Sequence, residues 1–257
     1  MNRLQSELHR LYLTRSAADA ESGDSSSALI GPAGAVRALV IELARPASWE
    51  VLAKVWHGVQ TELELPAPAI AVSGTDGLQL WFSLAEPVAA ARAHAFLDGL
   101  RSRFLPGIAA NRLRLLPASD ASALQPQGHA RLVPALQAPG ENWSAFVAPD
   151  LAPVFADTPW LDVPPSEEGQ AALLHGLQAT KPAAFEAALQ RLAPNAQQAR
   201  SAAAIDTTGP RPDDRPATPD DAADPKRFLR QVMNDDSVAL ALRIEAAKAL
   251  LQHATGD

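Results

Sequence analysis

From residue 36 onward the chain alternates in an orderly way between apolar and polar positions. Residues 36–43 (VRALVIEL) form an apolar, β-branched run that predicts a strand. Ser48 follows as an N-cap, and Val51, Leu52, Val55, Trp56 and Val59 repeat at helical spacing up to about residue 64. A second strand is predicted over 69–73 (AIAVS), a tight polar turn over Ser73–Gly77, and a third strand over 78–84 (LQLWFSL). After Pro87 a helix runs to about Phe104, with Ala93, Phe96, Leu97, Leu100 and Phe104 on one face; Pro106 and Gly107 stop it. Residues 112–116 (RLRLL) are the fourth strand. The order β-α-β-β-α-β predicts an α+β core of the ferredoxin or RRM type, in which the first strand lies between the third and the fourth.

Less regular segments surround this core. Residues 1–35 read as an amphipathic helix followed by a Ser-, Gly- and Asp-rich loop over 17–34, and 118–165 as proline-rich, irregular strands wrapped on the core. The α+β domain is thus expected over 36–165, with a helical extension over 166–205. Residues 206–223 are dominated by Pro and Asp and predict a disordered linker. A helical hairpin is predicted over 224–257, opened by Asp224-Pro225 and broken at Asn234-Asp235-Asp236.

Side chains alternate across a strand, so the faces can be assigned. Leu78, Leu80, Phe82, Leu113 and Leu115 should face the helices. Val40, Glu42, Ala44, Gln79, Trp81, Ser83, Arg112 and Arg114 should face the other side, expected to be open. Glu42, Gln79 and Arg114 then converge beside Trp81. A carboxylate, an amide and a guanidinium together point to a polar site or, as the plainer alternative, to a surface ion pair beside a packed tryptophan. A tryptophan on an open sheet face is what stacking on a nucleic-acid base requires.

Composition narrows the function. The chain has 257 residues, no cysteine and a formal net charge of −7. The absence of cysteine excludes disulfides and thiol chemistry and suits a cytoplasmic location. No apolar run approaches membrane-spanning length, and no leader pattern is visible. The acidic balance argues against coating nucleic acid by charge alone. Arg92, Arg101, Arg103, Arg112 and Arg114, against the single acid Asp98, nevertheless predict a local basic patch between 92 and 114, or else a solvated helix face. No P-loop, GxSxG or HExxH occurs, the six histidines are scattered, and no cofactor is expected.

The segments Glu42-Leu43-Ala44, Ser73-Gly74-Thr75-Asp76-Gly77-Leu78-Gln79-Leu80-Trp81 and Leu113-Arg114-Leu115-Leu116-Pro117 carry a more specific signal. Together with Gly128–Pro134 and Phe146–Asp150, they resemble the archaeo-eukaryotic primase superfamily, over about residues 36–155. The resemblance implies two aspartates ending the first strand, a histidine in the hairpin and a third carboxylate on the fourth strand. Here those positions hold Glu42, Ala44, Gln79 and Arg114. Two-metal phosphoryl transfer needs several carboxylates, so the expectation is a catalytically inactive protein without a metal site. A Glu42–Arg114 ion pair is expected where the metal would lie.

Residues 224–257 resemble a short helical module of phage terminase-small-subunit-like proteins, which implies a phage or mobile-element partner. The expected function is binding of DNA, RNA or a replication or packaging protein through the open face, using Trp81, Gln79, Arg101, Arg103, Arg112 and Arg114. The alternatives are a divergent nucleotidyltransferase that recruits Asp76 or Asp120, and a protein-interaction scaffold.

Overall fold

The computed structural model of the chain describes residues 2–14, 29–31, 34–121, 128–137, 140 and 142–193. The chain divides near residue 200, and every described element belongs to the first unit, residues 1–199. The linker expected over 206–223 and the helical hairpin expected over 224–257 lie outside the described residues, as does most of the loop expected over 17–34. In chain order the elements are α1 (Arg3–Leu11), β1 (Ala35–Ala44), α2 (Trp49–Thr61), β2 (Ala69–Val72), β3 (Gly77–Ala89) and α3 (Ala90–Phe104). They continue with β4 (Leu113–Leu116), β5 (Ala135–Leu136), β6 (Trp143–Val147), α4 (Glu167–His175) and α5 (Pro182–Leu192).

The fold is mixed α+β around one antiparallel sheet of order β4-β1-β3-β2-β6-β5. Two expectations change. The region 118–165 does not merely wrap the core, because β5 and β6 extend the sheet beyond β2. Strand β3 runs on to Ala89, five residues beyond the expected end at Leu84, and α3 begins only at Ala90. Its far end, Val88 and Ala89, pairs with Val36 and Ala35 across a register shift, a place where a strand accommodates a proline such as Pro87.

Alternation along the strands makes two apolar faces, and both are covered. On one side Leu39, Ile41, Leu43, Leu78, Leu80 and Phe82 pack against Leu52, Val55 and Val59 of α2 and Phe96, Leu97 and Leu100 of α3. Phe185 of α5 closes that layer against Phe96. On the other side Ala38, Val40, Ala71, Trp81 and Phe146 lie under Leu4, Leu8 and Leu11 of α1, the following Tyr12, and Leu174 of α4. The face expected to be open is therefore a second core. Burying a large apolar side chain contributes roughly 1.5–3 kcal/mol, so the three leucines of α1 alone hold it down firmly.

Polar contacts fix where α1 sits. Asn2 and Gln5 form a capping box at its start. At its end the Arg37 guanidinium donates to the carbonyls of His9, Arg10 and Leu13, in the last turn and just beyond it. Arg10 in turn donates to the carbonyls of Leu174 and Leu177 at the end of α4. Glu7 holds Arg10 at 2.6 Å and His175 at 2.9 Å. Burial pushes the Glu7 carboxyl up, but the hydrogen bonds from His175 and Arg10 and the Arg10 charge outweigh it and hold it below the ordinary carboxylate value. Among the described residues, no helix is long and apolar enough to cross a membrane.

Candidate functional site

Strand register creates the site. Glu42 of β1 lies directly opposite Gln79 of β3 on one side and Arg114 of β4 on the other. Glu42 is 3% exposed, and both of its carboxylate oxygens are engaged. Gln79 Nε2 donates to Oε2 at 2.6 Å, and Arg114 Nη1 donates to Oε1 at 3.2 Å. Trp81 Nε1 donates to Gln79 Oε1 at 2.8 Å. An indole N–H can only donate, which fixes the Gln79 amide with its oxygen toward Trp81 and its NH2 toward Glu42. Trp81, Gln79, Glu42 and Arg114 thus form one chain of hydrogen bonds running from the core to the surface, where the Arg114 side chain is 55% exposed.

The outer end of this chain opens into a polar cavity of about 220 Å³. The β2–β3 turn forms one wall. Ser73 Oγ accepts from the backbone N–H groups of Thr75 and Gly77, and Ser73 N–H donates to the Gly77 carbonyl. Gly74 has φ +79°, and a Cβ there would lie 2.5 Å from Gln137 Cγ and 2.7 Å from the Ser144 backbone nitrogen. A Cβ on Gly77 would lie 2.9 Å from Glu42 Cγ. The two glycines therefore let the turn press against the β5–β6 side and against Glu42. Gln137, Ser144, His129 and Arg131 continue the lining.

His129 is buried and neutral. The Ala130 N–H donates to its Nδ1 at 2.7 Å, which leaves Nε2 to carry the proton and donate to the Ala38 carbonyl at 3.0 Å. Burial pushes its pKa down to about 4, against an opposing upward pull from the Ala38 carbonyl. An unfolded histidine takes up its proton near 6.5 and this one only near 4, so stability is complete above 6.5 and is lost as pH falls toward 4. Urea unfolding across that window should show a loss on the order of 3 kcal/mol from this residue. His129→Gln should flatten that part of the profile, and an unchanged slope in the variant would refute the assignment.

No family model matches the sequence, and no curated protein matches it. The chemistry of the site rests on its own residues, and these do not fit a divalent cation. Of the three carboxylate positions that the resemblance implies, only Glu42 is acidic, and a guanidinium stands on it. Asp76, on the far side of the turn, pairs with Arg45 at 3.2 Å and does not line the cavity; neither does Asp120. Among the described residues, no three of His, Cys, Asp and Glu come together.

The other expected site residues fall elsewhere. Trp81 is fully buried, between Tyr12 and Phe146, and offers no stacking surface. Ala44 is buried at the end of β1 and takes no part in the cavity. Arg112 lies in a short helical turn before β4 and donates to the carbonyls of Ala44 and Pro46, bracing the exit of β1. Arg101 pairs with Asp98 and Arg103 with Glu62, on α3, beyond the opposite face of the sheet. Arg92 pairs with Glu186. The expected basic patch is thus dispersed among ion pairs. Sequence reasoning did not single out His129 or Arg131. Both lie in the Gly128–Pro134 segment, but nothing in the sequence says that this segment folds back over β1 and β3.

Proposed function

We propose that this chain is a non-catalytic protein on a primase-like, split β-α-β core, and that it works by binding. The Arg114 guanidinium on the Glu42 carboxylate carries the reading, because it puts a fixed cation where phosphoryl transfer would need an ion held by carboxylates. The order β4-β1-β3-β2, with α2 and α3 as the connections, supports the architecture, since β-α-β-β-α-β chains place their strands this way. A phage or mobile-element setting has only the resemblance of 224–257 behind it.

Within the binding role, the geometry favours a protein or small-ligand partner over a long stretch of DNA or RNA. Arg92, Arg101, Arg103 and Arg114 each stand on an acid and Arg112 on two carbonyls, so these side chains form no unbroken positive groove among the described residues. The tryptophan that would stack on a base is in the core.

Calorimetric titration with magnesium and manganese, paired with a primer-extension assay, tests the non-catalytic reading. The expected result is no saturable heat and no incorporation, with Glu42→Ala behaving as wild type. Saturable metal binding that disappears in Glu42→Ala would overturn the reading and revive a divergent nucleotidyltransferase.

A further inference from the structure

The cavity beside Glu42 has an imbalance of charge that the non-catalytic reading leaves unexplained. Two guanidinium groups line it, Arg114 and Arg131, against the one carboxylate of Glu42. His129 adds no charge, because its ring is held neutral by the Ala130 N–H. Both Glu42 oxygens are already engaged by Gln79 and Arg114. Arg131 donates to Gln137 Oε1 at 3.1 Å, and no carboxylate among the described residues forms an ion pair with it. Arg92, Arg101, Arg103 and Arg191, by contrast, are each seated on an acid.

Donors remain uncommitted around the space. Each guanidinium presents a fork of N–H groups, of which Arg114 spends one on Glu42 and Arg131 one on Gln137. The Thr75 hydroxyl adds a third donor, held otherwise by a long 3.4 Å contact to Asp76 and a shared hydrogen bond with Ser73. A carboxylate has two oxygens and can fill one fork. A tetrahedral phosphate has acceptors for both forks and for the hydroxyl, and carries enough charge to offset the excess. The cavity, at about 220 Å³, holds such a group with room for its attachment to lead outward.

We infer that the cavity between Arg114, Arg131 and Thr75 is a metal-independent binding site for a single phosphate group. The inference rests on the reading that no divalent cation occupies the position of the Glu42–Arg114 pair. The probe is inorganic phosphate, titrated into the full chain in a chelating buffer and followed by calorimetry and by the unfolding temperature. Saturable heat and a rising unfolding temperature are expected with phosphate, and a weaker response with acetate. Arg131→Gln removes a charged donor from an exposed position and should weaken phosphate binding by roughly tenfold or more, as should Arg114→Gln. Arg103→Gln, on the other side of the sheet, should leave it unchanged. Circular dichroism without phosphate separates loss of binding from loss of fold.

Absence of saturable heat in the folded wild type, or equal weakening by Arg103→Gln and Arg131→Gln, overturns the phosphate site. If the magnesium titration is flat in that case, the non-catalytic reading survives. Phosphate binding that requires magnesium overturns both.

Discussion

Trp81→Ala should cost the folded chain about 3–5 kcal/mol, the range for removing a large aromatic side chain from a packed core. The indole is fully buried, edge-on to Tyr12 at a centroid distance of 5.3 Å and to Phe146 at 5.9 Å. Truncation leaves a cavity under α1 and strips Gln79 Oε1 of its donor. Trp81→Phe separates the two effects: it keeps most of the apolar contact and loses only the N–H, which should cost about 1–3 kcal/mol. Urea unfolding followed by circular dichroism measures both. A loss below about 1 kcal/mol for Trp81→Ala would mean that the face under α1 is not packed, and would return the tryptophan to the surface role its sequence position suggested.

That tryptophan shows what the sequence disclosed and what it withheld. Period-two alternation assigns Leu78, Leu80 and Phe82 to one face and Gln79, Trp81 and Ser83 to the other, and the two core clusters divide β3 along this line. Alternation is a local property of the backbone, so a single sequence reveals it. Whether the second face is bare depends on where a helix some seventy residues earlier docks. Leu4, Leu8 and Leu11 mark α1 as amphipathic, but their spacing does not say which surface they will cover. The anchors that decide it, Arg37 at the end of α1 and Arg10 at the end of α4, act on backbone carbonyls and leave no pattern in the chain.

The site divides in the same way. Facing Glu42 with Gln79 and Arg114 requires only the strand order and the pleat, and both were legible. Arg112 was misplaced for a local reason: the chain makes a helical turn over Ala110–Arg112 before β4 begins, which takes that residue out of the alternation. The rest of the cavity lining was not legible, because Gln137 and Ser144 reach it only through β5 and β6 joining the sheet next to β2. No periodicity in a proline-rich segment with a two-residue strand announces that pairing.

The hydrogen-bonded chain through Glu42 makes a sharper prediction than any single substitution. Gln79→Leu removes the amide that donates to Glu42 Oε2 and accepts from Trp81 Nε1, so it leaves a buried carboxylate short of a donor and an indole N–H without an acceptor. A hydrogen bond to a charged group contributes about 1.5–3 kcal/mol and an orphaned buried donor costs about 1–3 kcal/mol, so a loss of about 3–5 kcal/mol is expected. Glu42→Leu in the same background removes the stranded charge, and Arg114, already more than half exposed, turns to water. The double variant Glu42→Leu/Gln79→Leu should therefore be more stable than Gln79→Leu alone, a reversal that independent sites would not give. Urea unfolding of the wild type, both single variants and the double variant closes the cycle. Simple additivity would show that Glu42 is solvated in the folded chain and that the relay from Trp81 to Arg114 is not coupled. A coupling of about 1–3 kcal/mol would establish that Glu42 and Gln79 depend on each other inside the fold, as a buried carboxylate and its donor must.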